Sequence, residues 1–198
     1  MRDTLRRAAL SSNGMGPGRA LFETAIGACG IVWSDRGIAA VQLPEASEKA
    51  TRARLEACSP ESREMPAPEV VTAAISEIIA LLEGEHRDLA SITLDLDGVP
   101  TFDRRVYEVT RTILPGRTKT YGEVARELGD PGAARAVGQA LGRNPFALVV
   151  PCHRVLAAGQ RLGGFSASGG AQTKRRILAI EGGLPRTNET LPLFDRDA

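Results

Sequence analysis

The apolar pattern of this chain changes period at Gly98-Val99-Pro100, and that change limits the architectures open to it. Before it, strands are prominent. Between Ala20 and Leu43 the chain is rich in Ile and Val and is broken by Gly27, Gly30 and Gly37, which predicts short strands near 21–26, 30–33 and 38–43. Ser34-Asp35-Arg36-Gly37 fits a hairpin turn between the last two. A helix is predicted over 46–57, a proline-rich loop over 59–68, and a second helix over 69–82, stopped at Gly84. Ile92, Leu94 and Leu96 alternate with polar residues as a half-buried strand would.

After the boundary, short helices dominate. Thr101 is a candidate N-cap for a helix reaching about Arg111. Helices are predicted over 121–128 and 133–141, joined by the tight turn Gly129-Asp130-Pro131-Gly132, a spacing that suggests a helix-turn-helix. Ala147 to Val150 reads as a brief buried extended piece, 160–172 as a Gly/Ser-rich loop, and 174–181 as a final helix. The organisation expected is a flexible leader (1–19), an N-terminal domain (20–98), a C-terminal domain (99–184) and a flexible tail (185–198).

Charge follows the same division. The net charge is +1, but residues 1–100 carry 10 basic and 15 acidic side chains, and residues 101–176 carry 13 and 5. A basic segment inside a neutral chain is a candidate footprint for a polyanion, with a plain solvated surface as the alternative. No apolar run approaches the ~20 residues that span a bilayer. The first twenty residues lack the continuous apolar core of a secretory signal. Three cysteines without a pairing pattern argue against a disulfide scaffold and for a reducing, cytoplasmic setting. Cys29, Cys58 and His86 are too scattered for a zinc site, so no metal is expected.

The segment with most chemistry is Pro151-Cys152-His153-Arg154-Val155. A cysteine attacks only as thiolate, and it needs a base, a cation or a helix N-terminus to become one near neutral pH. His153 and Arg154 adjoin Cys152, and Glu181 is one candidate for a carboxylate that orients the imidazole. Spacing alone does not select Glu181 over other acids, and a free cysteine is otherwise a small buried hydrophobe.

Phe102 to Val106, Thr120-Tyr121-Gly122-Glu123-Val124-Ala125, Ala134-Arg135-Ala136-Val137-Gly138, Asn144-Pro145, Pro151 to Val155, Lys174 and Glu181-Gly182 follow one another along the chain. In order and spacing they resemble the O6-alkylguanine-DNA alkyltransferases, over about residues 95–183. The resemblance implies an α+β fold: a ribonuclease H-like N-terminal domain, then a mainly α C-terminal domain with a winged-helix-like helix-turn-helix. It implies irreversible, stoichiometric transfer of an alkyl group from O6-alkylguanine in double-stranded DNA to Cys152, after base flipping, with O4-alkylthymine as a further candidate lesion.

The roles it implies are specific. His153 acts through a water as the base, Glu181 holds its tautomer, Asn144 braces the turn, and Tyr121 assists departure of the guanine. Arg135 enters the base stack, while Ala134, Ala136, Gly138, Thr120 and Arg143 lie toward the DNA. Without the resemblance, the small residues of that helix fit packing against the domain equally well. The Cys152 and Val155 carbonyls read the exocyclic amine, Phe165 and Ser166 line the lesion site, and Arg154 is structural. No cofactor is implied, and the protein is expected to be a monomer. Two departures stand out: Phe165 replaces the family's usual Tyr, and the interval from Phe165 to Lys174 is about two residues longer than usual. Both bear on lesion range and on Ser166.

Other classes remain open to the residues themselves. A regulator using the helix-turn-helix would bind DNA sequence-specifically without needing a thiol. A lesion-binding relative would lack the acceptor cysteine. A thiol hydrolase with a Cys-His-Glu triad would turn over repeatedly. In the tail, Thr190-Leu191-Pro192-Leu193-Phe194 is apolar between polar flanks and resembles peptides that dock on the replication sliding clamp, with a tail folded on its own domain as the alternative.

Overall fold

The computed structural model describes residues 17–183. The expectations for the leader and for the clamp-like segment 190–194 lie outside the described residues, apart from the last of the leader.

The sheet comes first in the chain. Strands β1 (Gly18–Phe22), β2 (Cys29–Ser34) and β3 (Gly37–Gln42) form an antiparallel meander. Helix α1 (Glu48–Cys58) follows, and the two-residue β4 (Arg63–Glu64) adds a parallel edge to β1, giving the order β3-β2-β1-β4. The predicted hairpin turn is present, with Ser34 paired to Gly37. Gly37 is required there: its φ is +141°, and a Cβ would meet the Thr93 carbonyl oxygen at 2.6 Å. Ser47 caps α1 through the Ala50 N–H. Helix α2 (Glu69–Leu82) buries Val71, Ala74, Ile78, Leu81 and Leu82, a stripe at helical spacing.

The second half holds α3 (Thr101–Arg111), β5 (Lys119–Thr120), α4 (Tyr121–Glu127), α5 (Ala134–Gly142), β6 (Val155–Leu156) and α6 (Ala171–Ile180). The α4–α5 turn follows its residues closely. Gly129 takes a φ of +81°, and the Asp130 side chain accepts from the Gly132 N–H. Arg105 closes the end of α4 by donating to the Leu128 carbonyl at 2.7 Å. One buried apolar cluster runs from β2 and β3 through α2 and α3 to α5 and α6, so the two halves share a core.

Four expectations are corrected. The first strand ends at Phe22 and not at 26, because Thr24 closes a turn with Gly27. The strand expected at 92–96 is a single bridge of Leu94 to Ile38: the Asp95 carboxylate turns inward to Ser34 and Arg36 and bonds the Asp97 N–H, which ends pairing. Residues 147–150 are a buried turn and not extended, with Leu148 at a φ of +70°. Pro100, not Thr101, occupies the N-cap of α3.

Two contacts connect the halves: the Val41–Pro145 hydrogen bond and the Arg111 clasp. The outer edge of β3 is taken up by segments from elsewhere: the Ile38 N–H donates to Thr93, and the Val41 N–H to Pro145 at 2.8 Å. Arg111 of α3 reaches back to the carbonyls of Leu89, Ala90 and Ile92, with its Nη2 within 3.3 Å of each. Replacing Arg111 by Met keeps the bulk and removes these donors. Urea unfolding is expected to show a loss of about 1–3 kcal/mol; an unchanged midpoint would mean that this clasp contributes nothing.

Candidate active site

Cys152 begins a single turn of 3-10 helix, Cys152–Arg154, set between Pro151 and β6. The turn is closed on both sides. The Cys152 N–H donates to Val150 at 2.8 Å, and the Val155 N–H returns to the Cys152 carbonyl. Asn144 braces the approach: its Nδ2 donates to the Val150 carbonyl and its Oδ1 accepts from the Phe146 N–H, both at 2.9 Å. Pro145, next in the chain, carries the carbonyl that β3 binds. The Cys152 turn is therefore pinned to the N-terminal sheet through Asn144 and Pro145.

Behind the sulfur lies a buried charge cluster. His153, Arg154 and Glu181 are at most 5% exposed. Glu181 Oε1 lies 2.9 Å from His153 Nε2 and accepts from Arg154 Nη2 at 2.8 Å, while Oε2 accepts from Arg154 Nε at 3.0 Å. Arg154 Nη1 donates to the Ile113 carbonyl at 2.6 Å. Burial works to raise the Glu181 carboxyl, but His153 and Arg154 outweigh it and bring it down to about 2. Glu181 is thus ionised and can only accept, so the proton between the two groups sits on His153 Nε2. In the neutral ring Nδ1 then carries the lone pair, and it is buried with no hydrogen-bond partner among the described residues. Burial lowers the imidazole below its ordinary value despite Glu181, and Arg154 and Lys174 add to that fall. The resting ring is neutral and able to take a proton.

Cys152 rests as a thiol. Burial pushes it up, opposed by a hydrogen bond from Asn144, by the charge of Lys174 and by the N–H groups of Cys152 and His153. A cleft of about 510 Å³ opens on it, between Asn144, Phe165 and Ser166 on one side and β3 and the end of α1 on the other.

The structure brings Tyr121 within electrostatic reach of Cys152 by a short route. β5 ends where α4 begins, and it pairs in parallel with β6, which follows the Cys152 turn directly. Tyr121 is half-buried. Its ring lies 3.8 Å from where a Cβ at Gly138 or at Gly163 would stand. Burial and the charge of Cys152 both raise its phenol. Thr120 is engaged as the cap of α4, in a reciprocal capping box with Glu123.

The remaining predicted residues separate into two groups. Arg135 is exposed on α5 and has no hydrogen bond or ion pair among the described residues, whereas Ala134, Ala136 and Gly138 are half-buried. Arg143, at the end of α5, grips the buried Asp103 with two contacts, at 3.1 and 2.9 Å, and so holds α5 to α3. Phe165 is half-buried and Ser166 exposed at the cleft, and the Val155 carbonyl accepts from Lys174 Nζ at 2.6 Å. No cluster of three metal-ligating side chains occurs among the described residues. No described helix is long and apolar enough to cross a membrane.

Sequence reasoning missed the part that Lys174 and Arg154 take in this cluster. A signal was present: Lys174, Ile177, Leu178 and Glu181 share one helical face, so a Lys and a Glu flank its apolar pair. It also missed Asp103 and Tyr107, whose hydroxyl donates to the Ala140 carbonyl and whose ring meets Phe146 edge-on at 6.0 Å.

A cleft-facing cysteine backed by a buried His–Glu pair, in a chain that also carries two short helices joined by a tight turn, defines the class as a thiol-bearing protein with a candidate DNA-binding unit. Comparison with known proteins is specific. Residues 101–183 match the family described as 6-O-methylguanine DNA methyltransferase, DNA binding domain. A methylated-DNA–protein-cysteine methyltransferase of Mycolicibacterium paratuberculosis is 44% identical over 128 residues, 65% of this chain and 74% of that one. Its counterpart in Methanothermobacter thermautotrophicus is 36% identical over 153 residues, 77% of this chain and 78% of that one. The crystal structure of Mycobacterium tuberculosis OGT in complex with DNA superposes with a TM-score of 0.67 at 31% identity, covering 83% of this chain and 92% of that one. The chain belongs to the methylated-DNA–protein-cysteine methyltransferase family, and its fold is of the mixed α+β kind.

The buried cluster has a pH signature. Glu181 is depressed from an ordinary 4.5 to about 2, so its stabilisation is complete above pH 4.5 and is lost as pH falls toward 2. His153 acts in the same direction, since a ring buried neutral must charge in acid. Glu181→Gln is expected to lose about 3 kcal/mol at neutral pH, because it strands Arg154. The gap between the two proteins in urea unfolding should then shrink below about pH 4.5; a gap constant across that range would contradict an ionised Glu181.

Proposed function

We propose that this chain repairs O6-alkylguanine in DNA by moving the alkyl group onto Cys152, once per molecule. The observation that carries the reading is the pairing of a cleft-facing thiol with a buried imidazole whose outer nitrogen Nδ1 is unprotonated and unpartnered. The thiol proton passes through water to His153 Nδ1, and Glu181 balances the imidazolium that results. Sulfur then forms a bond to the alkyl carbon as the carbon–O6 bond breaks. The electron pair of that bond stays with guanine, which takes up a proton and remains in the strand as the unmodified base. Tyr121, beside the sulfur, assists that departure. The thioether left on Cys152 has no route back to thiol, so the protein is consumed.

Access to the lesion requires base flipping, which costs a few kcal/mol within a duplex. Arg135 is suited to fill the vacated stack: it is exposed on α5 and committed to no other partner among the described residues. Thr120, Arg143 and the small residues Ala134, Ala136 and Gly138 are assigned to the DNA side, although capping and the Asp103 pair also engage the first two. The Cys152 and Val155 carbonyls read the exocyclic amine, and Phe165 and Ser166 bound the lesion pocket. At finer grain we read residues 20–98 as ribonuclease H-like and 99–184 as a winged-helix-like DNA-binding unit, in a cytoplasmic monomer. Segment 190–194 is proposed to dock on a sliding clamp.

Incubation with a duplex carrying O6-methylguanine, followed by intact mass, should add one methyl group to Cys152 in a single burst of at most one equivalent. Repeated turnover would indicate a hydrolase, and Cys152→Ser should abolish transfer while leaving most DNA binding. A second comparison isolates flipping. Arg135→Ala should slow repair of the duplex more than reaction with free O6-benzylguanine; equal losses would remove Arg135 from the flipping step.

A further inference from the structure

Helix α2 carries a second apolar row that nothing among the described residues covers. Its buried face holds Val71, Ala74 and Ile78, but Val70, Ala73 and Glu77 form another row at helical spacing, and Val70 is 74% exposed. Beside this row lies a groove of about 330 Å³ between α2, the Ser34–Gly37 hairpin and residues 91–93, lined by Trp33, Ile38, Val71, Ala74 and Ile92. It shares no lining residue with the Cys152 cleft. Single exposed apolar side chains are ordinary, but an exposed valine on the lip of an open apolar groove marks an interaction surface.

A continuous strip of surface joins this groove to the last described residue. Gly183 packs on the backbone of Gly116: a Cβ on Gly183 would stand 3.0 Å from the Gly116 Cα. Two residues earlier in that loop, Leu114 is 55% exposed; it and Val70 are the large apolar side chains exposed among the described residues. Leu114 and Pro115 share a hollow of about 430 Å³ with Glu77, His86 and Arg87. Glu77 also lines the groove, so the hollow and the groove adjoin. Outward from Gly183 the surface reads apolar at Leu114, charged at the Glu77–Arg87 pair, and apolar at Val70.

The sequence after Gly183 has the same order. Leu184-Pro185 is apolar, Arg186 to Thr190 polar, and Leu191-Pro192-Leu193-Phe194 apolar. The reach suffices. From Glu77 to Val70 is about 10 Å along the helix axis, and residues 185–191 can span about 20 Å. A residue before proline is biased toward extended backbone, and an extended strip with Leu191 and Leu193 on one side suits a groove.

We propose that the groove on α2 is the seat of residues 191–194 of the same chain, with Leu184-Pro185 lying over Leu114 on the way. The seat is independent of the alkyl-transfer reading. A sliding clamp would draw on the same peptide, so the seat and the clamp compete for it.

Hydrogen exchange of the full chain, read by peptide mass, tests this. In the wild type, amides within 188–198 should exchange about tenfold or more slower than in a free peptide of that sequence. Val70→Lys, at an exposed rim position, and Phe194→Asp, in the peptide itself, should each return them to the free-peptide rate. Trp33 is the only tryptophan and lines the groove, so its emission should shift in the same two variants. Free-peptide exchange in the wild type would overturn the proposal, and so would protection that survives Val70→Lys. Protection that grows with protein concentration would give the groove to the tail of a second copy. Protection that Val70→Lys removes from residues 1–16 instead would give it to the leader. Either result overturns the seat proposed.

Discussion

Glu181 accepts from both side chains that follow Cys152, and this shared carboxylate determines what each of them can do. Arg154 supplies the full positive charge that keeps Glu181 ionised inside the protein. His153 supplies a neutral donor and is held, by the same oxygen, in the one tautomer that leaves Nδ1 basic. Removing any member would leave a buried group without its partner, which is far more costly than exchanging all three for apolar residues. The arrangement is therefore poor as a device for stability alone. Its value lies in fixing one ring nitrogen, one proton and one orientation beside a sulfur.

The same logic extends outward through backbone. Asn144 bonds both ends of the turn that leads to Cys152, and its neighbour Pro145 is bound by β3. Tyr121 is delivered by β5, which pairs with the strand emerging from the acceptor turn. Arg143 fixes the end of α5 to the buried Asp103 two residues into α3. Asn144, Arg143 and Tyr121 are thus each held on a short tether of hydrogen bonds to the Cys152 turn or to its immediate supports. The N-terminal sheet contributes no group to the proposed chemistry, yet one of its strands holds the bracing loop in place and forms a wall of the cleft.

Much of this was legible in the sequence, for identifiable reasons. The hairpin at Ser34–Gly37, helix α2 and the α4–α5 pair obey local rules: a glycine where φ must be positive, a stripe of apolar residues, a cap, an Asp-Pro-Gly turn. The failures were cases where tertiary contacts override the local pattern. Ile92 to Leu96 alternates as a strand should, but Asp95 is drawn inward by Ser34 and Arg36, and pairing stops after one bridge. Ala147 to Val150 looks like an extended apolar run, yet it turns, and Leu148 is held in a left-handed conformation that no single-residue preference would suggest. At the site, Cys152 and His153 could be named from adjacency. The choice of Glu181 required the family resemblance, because a separation of 28 positions hides a contact that α6 creates. Lys174 was quoted as part of the motif without a task, since burial of a lysine is a property of the fold.

The geometry also bears on why one transfer, and not turnover, is the reaction suited to these residues. A thiol hydrolase uses its imidazole twice per cycle, first as base and then as acid toward a leaving group, and it needs donors aimed at a developing oxyanion. Here Glu181 supports the imidazolium through its hydrogen bond and charge, but burial outweighs that support and keeps the ring's proton affinity low. Such a histidine gives up a captured proton readily. That suits a step in which the thiol's proton ends on the departing guanine and is not needed again. The electrophile is a saturated carbon, so no oxyanion forms at the centre under attack. The negative charge that must be managed resides on sulfur before the reaction and on the guanine during it. The groups gathered around Cys152 fit that requirement: Asn144 and two backbone N–H groups favour the anion at the start, and the Tyr121 phenol lies within reach of its charge.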